Sequence, residues 1–118
     1  MALDINKHLG VHATALQLRQ KRGELLAANL ANADTPGYLA RDLDFGQALA
    51  AAGRGGATAG GDAAFLRYRV PLAPALDGNT VDPQLEQAAF AENAVRYQAT
   101  LSFLNSKFRS LMTAITGQ

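Results

Sequence analysis

Apolar residues recur at alternating spacings of four and three along the C-terminal third of the chain. The set comprises Phe90, Ala94, Tyr97, Leu101, Leu104, Phe108, Leu111 and Ile115. Such spacings keep one stripe of a helix facing a partner helix along a left-handed supercoil. Asp82 suits a helix N-cap, Pro83 the first helical position and Gly117 the stop. We therefore predict a coiled-coil helix from residue 82 to about residue 116.

The N-terminal segment carries a broader apolar surface at helical spacing. One stripe comprises Ile5, Leu9, Leu16, Leu26 and Leu30, and an adjacent stripe comprises Val11, Ala15, Leu18 and Leu25. The helix is expected to stop near Ala33, because Thr35 precedes a proline and is disfavoured in helical geometry. Pro36 and Gly37 suit the two central positions of a type II turn. We expect the C-terminal seam to pack against Leu16, Leu26 and Leu30.

A Gly/Ala-rich stretch separates the two helical ends. Residues 50–61 offer little to bury and cannot offset the entropy of ordering them, so we expect a flexible linker or tip. Residues 65–70 alternate apolar and charged side chains, which is typical of a short strand. Pro71 and Pro74 restrict that strand to a sheet edge or an isolated extended piece. Asp77, Gly78 and Asn79 predict a turn before the last helix.

The expected fold is therefore all-α and forms one structural domain. Residues 1–49 hold the N-terminal helix and its turn, residues 50–76 the linker, and residues 77–118 the C-terminal coiled-coil helix. The two long helices are expected to form an antiparallel coiled-coil hairpin. Such a hairpin would leave the second N-terminal stripe uncovered, and each uncovered large side chain forfeits about 1.5–3 kcal/mol of burial. We expect a marginal isolated monomer that completes its folding against neighbours.

Composition excludes several classes of function. The 118 residues carry a formal net charge of +1, which argues against bulk nucleic-acid binding. The absence of Cys excludes disulfides, thiolate metal sites and cysteine nucleophiles. The N-terminus lacks the pattern of a secretory signal, and no apolar run reaches the length of a membrane helix. We expect either a cytoplasmic protein or one exported without a cleaved leader.

Candidate catalytic groups are few. His8 and His12 stand four apart, as a metal-binding pair on a helix would, but no third ligand accompanies them. Arg19, Lys21 and Arg22 form a basic cluster that is more typical of a solvated helix face. The central glycines lack the Lys and Ser/Thr of a phosphate loop. We predict no enzyme, no metal and no cofactor.

Residues 28–38 are the exception, because their side chains suggest specific contacts. Asn29 and Asn32 lie three apart near the helix end and present their amides on one side. These amides could bond exposed carbonyls of the helix end, the chain that returns after the turn, or the backbone of a partner. Because capping needs only one asparagine, the second amide is available for a partner.

Residues 26–38, LAANLANADTPGY, and the following residues 40–45 closely resemble the N-terminal signature of bacterial flagellar rod proteins, those of the proximal rod in particular. Residues 77–82, 92–93, 96–99, 107–108 and 111 agree with the terminal helix of the same rod and hook axial family. The resemblance covers roughly two-thirds of the chain. Ala28 and the Gly/Ala-rich middle depart from the family pattern.

The resemblance implies a structural subunit of the flagellar basal-body rod that assembles helically and transmits torque for motility. The implied partners are copies of the chain, other rod proteins, membrane-ring or rod-adaptor proteins at the rod base, and the flagellar type III export apparatus. The implied location is the rod in the periplasmic space, reached without a cleaved signal peptide, with no nucleic acid and no small-molecule substrate. The alternatives are another rod or hook subunit, or a cytoplasmic helical-hairpin adaptor or chaperone.

Two sets of site residues follow from this reading. The subunit-interaction motif comprises Asn29, Asn32, Thr35, Pro36, Gly37 and Tyr38. The helix-packing seam comprises Leu16, Leu26, Leu30, Phe90, Tyr97, Leu101, Leu104, Phe108, Leu111 and Ile115.

Overall fold

The computed structural model describes residues 5–53, 65–71 and 73–117. In chain order the elements are α1 (Ile5–Ala31), β1 (Arg41–Leu43), α2 (Phe45–Gly53), β2 (Leu66–Tyr68) and α3 (Pro83–Thr116). The chain is thus mostly helical, and its longest helices lie near its two ends. This confirms the coarse prediction from the apolar spacing.

The predicted bounds of the C-terminal helix are confirmed. The Asp82 carboxylate accepts hydrogen bonds from the backbone N–H groups of Gln84 at 3.1 Å and Leu85 at 3.3 Å, which caps α3. Gly117 ends the helix with a φ of 72°, and its N–H donates to the carbonyl of Thr113 at 2.9 Å. A left-handed φ strains any residue with a Cβ, so glycine is the natural stop.

The helices α1 and α3 pack side by side in opposite directions. The rings of His12 and Phe103 lie 4.6 Å apart between centroids. Further along, the Asn93 amide donates to the Arg19 carbonyl at 2.8 Å, and the Asn29 amide donates to the Glu86 carboxylate at 3.0 Å. Contacts that advance along α1 therefore retreat along α3, as in an antiparallel pair.

An apolar cluster covers α1 on a side other than the one that faces α3. Its buried members are Leu18, Leu25, Leu43 and Ala48, and the half-buried side chains of Phe45, Leu49, Phe65 and Leu66 pack against them. Two of the residues in the second N-terminal stripe are therefore covered within the chain, by α2 and the strands. The Arg19 guanidinium lies 3.7 Å above the Phe45 ring, and burial lowers the pKa of Arg19.

The all-α prediction is corrected by a small sheet. Strand β1 pairs antiparallel with β2, so that Arg41 lies opposite Tyr68 and Leu43 opposite Leu66. The extended piece near residue 66 is therefore paired rather than isolated. Leu66 is half-buried while Tyr68 is exposed, because only one end of β2 reaches the apolar cluster.

The first residues of the predicted linker are helical. Helix α2 continues to Gly53, three residues beyond Ala50, where the linker was predicted to start. Asp44 starts this helix by accepting the Gln47 N–H at 3.2 Å, and Leu49 packs onto the apolar cluster beneath it. Most of the Gly/Ala-rich stretch, in residues 54–64, lies outside the described residues.

Candidate functional site

Asn29 joins the end of α1 to the chain that returns after the turn. Its side chain is 1% exposed. The amide donates to the Arg41 carbonyl at 2.7 Å and accepts the Arg41 N–H at 3.1 Å, so it pairs with both backbone groups of one residue, as an opposing residue of an antiparallel strand would. The same amide donates to Glu86 on α3. Of the three partners open to Asn29 from sequence, the returning chain is the one observed.

Asn32 builds the turn itself. Its amide donates to the Ala28 carbonyl at 2.8 Å, and its oxygen accepts the Thr35 hydroxyl at 3.1 Å. Tyr38 N–H donates to the Thr35 carbonyl at 3.2 Å, and Gly37 has a φ of 74°. These are the features of the predicted type II turn. Both asparagine amides thus have partners within the chain, and the exposed part of the motif is its tip, Thr35 to Gly37.

Asn79 caps the end of α1 from the opposite side of the turn. Its amide nitrogen lies 2.9 Å from the Asn32 carbonyl oxygen, 2.9 Å from that of Ala33 and 2.8 Å from that of Thr35. Its oxygen accepts the Val81 N–H at 2.7 Å. The last carbonyl groups of a helix have no intrahelical N–H donors, and the Asn79 side chain supplies donors to them. Sequence reasoning assigned Asn79 only to a turn, because its capping target lies more than 40 residues away in sequence.

A largely buried ion-pair network connects α1, β1, the segment after β2 and α3. Asp42 on β1 accepts the Arg22 Nε at 2.9 Å and the Arg69 Nη2 at 3.0 Å. The Arg69 Nε in turn lies 2.7 Å from the Glu86 Oε1, as an ion pair, and Glu86 is 0% exposed. The hydrogen bond to Asp42 raises the pKa of Arg22. Two cations and two anions balance, which is the condition for burying such charges.

Sequence reasoning missed this network. Asp42 is the middle residue of β1 and Arg69 follows β2, 27 residues away, and Glu86 sits among polar residues in the first turn of α3. One feature of the sequence could have indicated it. Glu86 and Asn93 are seven residues apart and share one face of α3, so they interrupt an apolar helix face with polar side chains.

The predicted seam residues differ in burial. Leu26 and Leu104 are buried; Leu16, Leu30, Tyr97, Leu101 and Leu111 are half-buried; Phe90, Phe108 and Ile115 are exposed. The side of α3 that faces α1 also carries Glu86 and Asn93. Gly23 gives Asn93 room, because a Cβ at position 23 would lie 3.4 Å from the Asn93 amide nitrogen.

Three seam residues and Met112 form an uncovered apolar flank on α3. Phe90, Phe108 and Met112 are 41%, 52% and 59% exposed, and Ile115 is 79% exposed. Phe108, Met112 and Ile115 follow one another at spacings of four and three and so share one side of the helix. Exposed apolar surface of this kind marks an interaction site when it occurs on a folded protein.

The described residues contain neither a group of metal ligands nor a membrane-spanning helix. Within the described ranges, no three His, Asp or Glu side chains gather as metal ligands would. His12 packs against Phe103, while the side chain of His8 lies outside the described part of the chain. Neither long helix, over the residues described, is apolar enough to span a membrane.

Comparison with known proteins agrees with the resemblance read from residues 26–45. Residues 9–38 match the family described as flagella basal body rod protein. A flagellar basal body rod protein FlgB from Cereibacter sphaeroides (strain ATCC 17029 / ATH 2.4.9) is 51% identical, over 93% of this chain and 94% of its own length. FlgB of Aeromonas hydrophila is 46% identical over 100% and 99% of the two chains, and FlgB of Escherichia coli (strain K12) is 41% identical over 86% and 87%. The chain belongs to the FlgB family of flagellar basal body rod proteins.

Proposed function

We propose that this chain is a structural, non-catalytic subunit of the flagellar basal-body rod, which assembles helically and transmits torque for motility. The observation that carries the proposal is the identity of 41–51% to rod proteins over most of both chains. The elongated pair of helices supports it, because long helices packed along their length are stiff elements.

The apolar flank on α3 supports assembly with other subunits. Fully burying one large apolar side chain stabilises an interface by about 1.5–3 kcal/mol. Phe90, Phe108, Met112 and Ile115 are only partly covered within the chain. Their burial against copies of the chain and other rod proteins would supply the energy that holds neighbouring subunits together.

The finer arrangement within the subunit is part of the same proposal. Helices α1 and α3 form an antiparallel coiled-coil hairpin, with Leu26 and Leu104 at its buried contacts. The motif of residues 29–38 lies at a subunit contact. Because the amides of Asn29 and Asn32 are used to build the turn, the contacting part is the exposed tip formed by Thr35, Pro36 and Gly37.

The proposal also covers the location of the subunit and the route by which it is exported. The subunit occupies the proximal rod in the periplasmic space, next to membrane-ring or rod-adaptor proteins at the rod base. It reaches that place through the flagellar type III export apparatus, without a cleaved signal peptide. A small buried core supports this route, because few fully buried side chains must be exposed when the chain unfolds for passage.

The test is incorporation into rods in a bacterium that lacks its own copy. Phe108→Asp places a charge on the exposed flank and leaves the buried core intact, so we expect a folded subunit that is absent from purified basal bodies and cells that do not swim. Leu104→Asp should also prevent incorporation, because Leu104 is 7% exposed and its substitution disrupts the helix pair.

Asn105→Asp is the matched control, because Asn105 is exposed and lies one residue from the buried Leu104. We expect it to swim and to enter the rod. Normal incorporation of both Phe108→Asp and Leu104→Asp would overturn the proposed role of the helix pair.

A further inference from the structure

The antiparallel packing sorts the charges of this nearly neutral chain to opposite ends. We define the open end as residues 5–22 and 93–117, which hold the start of α1 and most of α3. We define the turn end as residues 23–44, 65–71 and 73–92. The uncharged helix α2 is left out, because its residues Leu49, Ala52 and Gly53 line a cavity with Lys7, Gly10 and Val11 of the open end. The contact of Arg19 with Asn93 marks the boundary between these two ends.

The open end is purely basic. It contains no Asp or Glu, and its cationic residues are Lys7, Arg19, Lys21, Arg22, Arg96, Lys107 and Arg109. Its formal charge is therefore +7, against +1 for the whole chain.

The turn end is acidic. Its acidic residues are Glu24, Asp34, Asp42, Asp44, Asp77, Asp82, Glu86 and Glu92, and its cationic residues are Arg41, Arg67 and Arg69. Its formal charge is therefore −5. Two ion pairs cross the boundary, Arg22 with Asp42 and Arg96 with Glu92. Without these pairs the formal charges are still +5 and −3.

Helix dipoles explain only half of this arrangement. In α3, acidic residues near the N-terminus and basic residues near the C-terminus complement the dipole. In α1 the order is reversed, since Lys7 lies near the positive N-terminus and Asp34 lies just beyond the negative C-terminus. The helices run in opposite directions yet share one charge polarity in space, so complementarity to the helix dipole does not account for the charges of α1.

Both ends also expose apolar side chains. At the turn end, Leu39 is 49% exposed and Leu76 is fully exposed. At the open end, Met112 and Ile115 are exposed beside the basic residues Lys107 and Arg109. Opposite charges flanking apolar surface are the pattern of two complementary halves of one interface.

We propose that the basic open end of one copy docks head to tail on the acidic turn end of a second copy. The two surfaces are different, so the contact is heterologous and extends into an open row rather than closing as a dimer. This inference rests on the proposed rod function and adds the ends through which successive copies meet. Lys107 and Arg109 lie on one side of the contact, and Asp34 and Asp77 lie on the other.

The test is a charge exchange between two variants of the full chain. The open-end variant, Lys107→Glu with Arg109→Glu, reverses the charge at the two contacting positions, so that carboxylates there face Asp34 and Asp77 of a second copy. The turn-end variant, Asp34→Lys with Asp77→Asn, reduces the acidity of the turn, and its new asparagine keeps the oxygen that accepts the Asn79 N–H. Sedimentation velocity measures the mass of each variant and of their equimolar mixture. Gln17→Glu with Gln20→Glu adds negative charge to exposed positions beside the boundary formed by Arg19 and Asn93, away from Lys107 and Arg109, and serves as the control.

We expect the unaltered chain and the control to associate at about 20 mM salt, with an association constant at least tenfold lower at about 300 mM, because salt screens exposed charges. Each end variant should remain monomeric alone, and their mixture should associate, because each then meets an opposite charge. The proposal is overturned if the unaltered chain stays monomeric or if its association constant is the same at both salt concentrations. It is also overturned if an end variant associates alone or if the mixture stays monomeric.

Circular dichroism of each variant checks that helicity is retained. If a charge reversal unfolds the chain, the milder pair Lys107→Gln with Arg109→Gln and Asp34→Asn with Asp77→Asn replaces it, and each should lower the association constant at least tenfold at about 20 mM salt. An unchanged constant overturns the inference. If rods contain the unaltered chain but the mixture stays monomeric, this inference alone is wrong. If rods lack the unaltered chain, the proposed function is wrong.

Discussion

Removing the Asn79 side chain tests the account of the turn most directly. Asn79 is buried, and its amide nitrogen lies within 2.9 Å of three carbonyl oxygens at the end of α1. Its own oxygen holds the Val81 N–H just before α3 begins. Asn79→Ala therefore releases the end of one long helix and the approach to the other.

The expected magnitude follows from the groups involved. An amide has two N–H donors to share among three carbonyls, and one oxygen that is used here, so at most three full hydrogen bonds are lost. At about 0.5–1.5 kcal/mol each, and with water able to reach the half-exposed helix end, we expect a loss of about 2–3 kcal/mol. For a domain of this size, that loss lowers the melting temperature by roughly 10–20 °C.

Thermal melting followed by far-UV circular dichroism measures this loss, with a stabilising osmolyte added if the isolated chain is only marginally folded. Asn79→Asp should be less stable than Asn79→Ala at neutral pH, because a carboxylate would face three carbonyl oxygens. Asn105→Ala, on the exposed side of α3, is the control and should melt like the unaltered chain. A melting temperature for Asn79→Ala equal to that of the control would refute the reasoning, and so would an Asp variant more stable than the Ala variant.

Further substitutions can be ranked by urea midpoints. Gly37→Ala should cost about 1–2 kcal/mol because of its φ of 74°, whereas Gly10→Ala, with open space around it within α1, should gain up to about 1 kcal/mol; the opposite order would contradict the turn assignment. Leu26→Ala should cost about 2–5 kcal/mol, and a cost below 1 kcal/mol would mean that the helix pair does not form. Glu86→Leu should cost about 2–4 kcal/mol by depriving Arg69 of its buried partner, and adding Arg69→Met should recover most of that loss; equal losses in the single and double variants would exclude the coupling.

Local signals in the sequence placed the main elements well. The bounds of α3 followed from Asp82, Pro83 and Gly117, because capping and backbone restrictions act within a few residues. The type II turn at Pro36 and Gly37 was predicted for the same reason. The strand β1 was missed, because Arg41, Asp42 and Leu43 do not alternate polar and apolar side chains as residues 65–70 around β2 do.

The candidate site was only partly accessible to this kind of reasoning. Asn29 and Asn32 stood out by their spacing, but sequence could not choose among helix end, returning chain and partner. That choice depends on Arg41 and Glu86, which lie 12 and 57 residues from Asn29. Asn79 carried no distinguishing signal, because an asparagine after Asp-Gly is also what a simple turn requires.

The sequence by itself determined the two long helices, the caps of α3, the turn between residues 35 and 38, and the family signature that spans it. These features depend on side chains close together along the chain, where backbone sterics and helical period dominate. The tertiary structure decided which apolar stripe of α1 meets α2 and which meets α3, and it brought Arg22, Asp42, Arg69 and Glu86 into one buried network. It also separated the charges of a nearly neutral chain into a basic and an acidic end. Such outcomes depend on the direction in which distant segments pack, and neither composition nor local periodicity contains that direction.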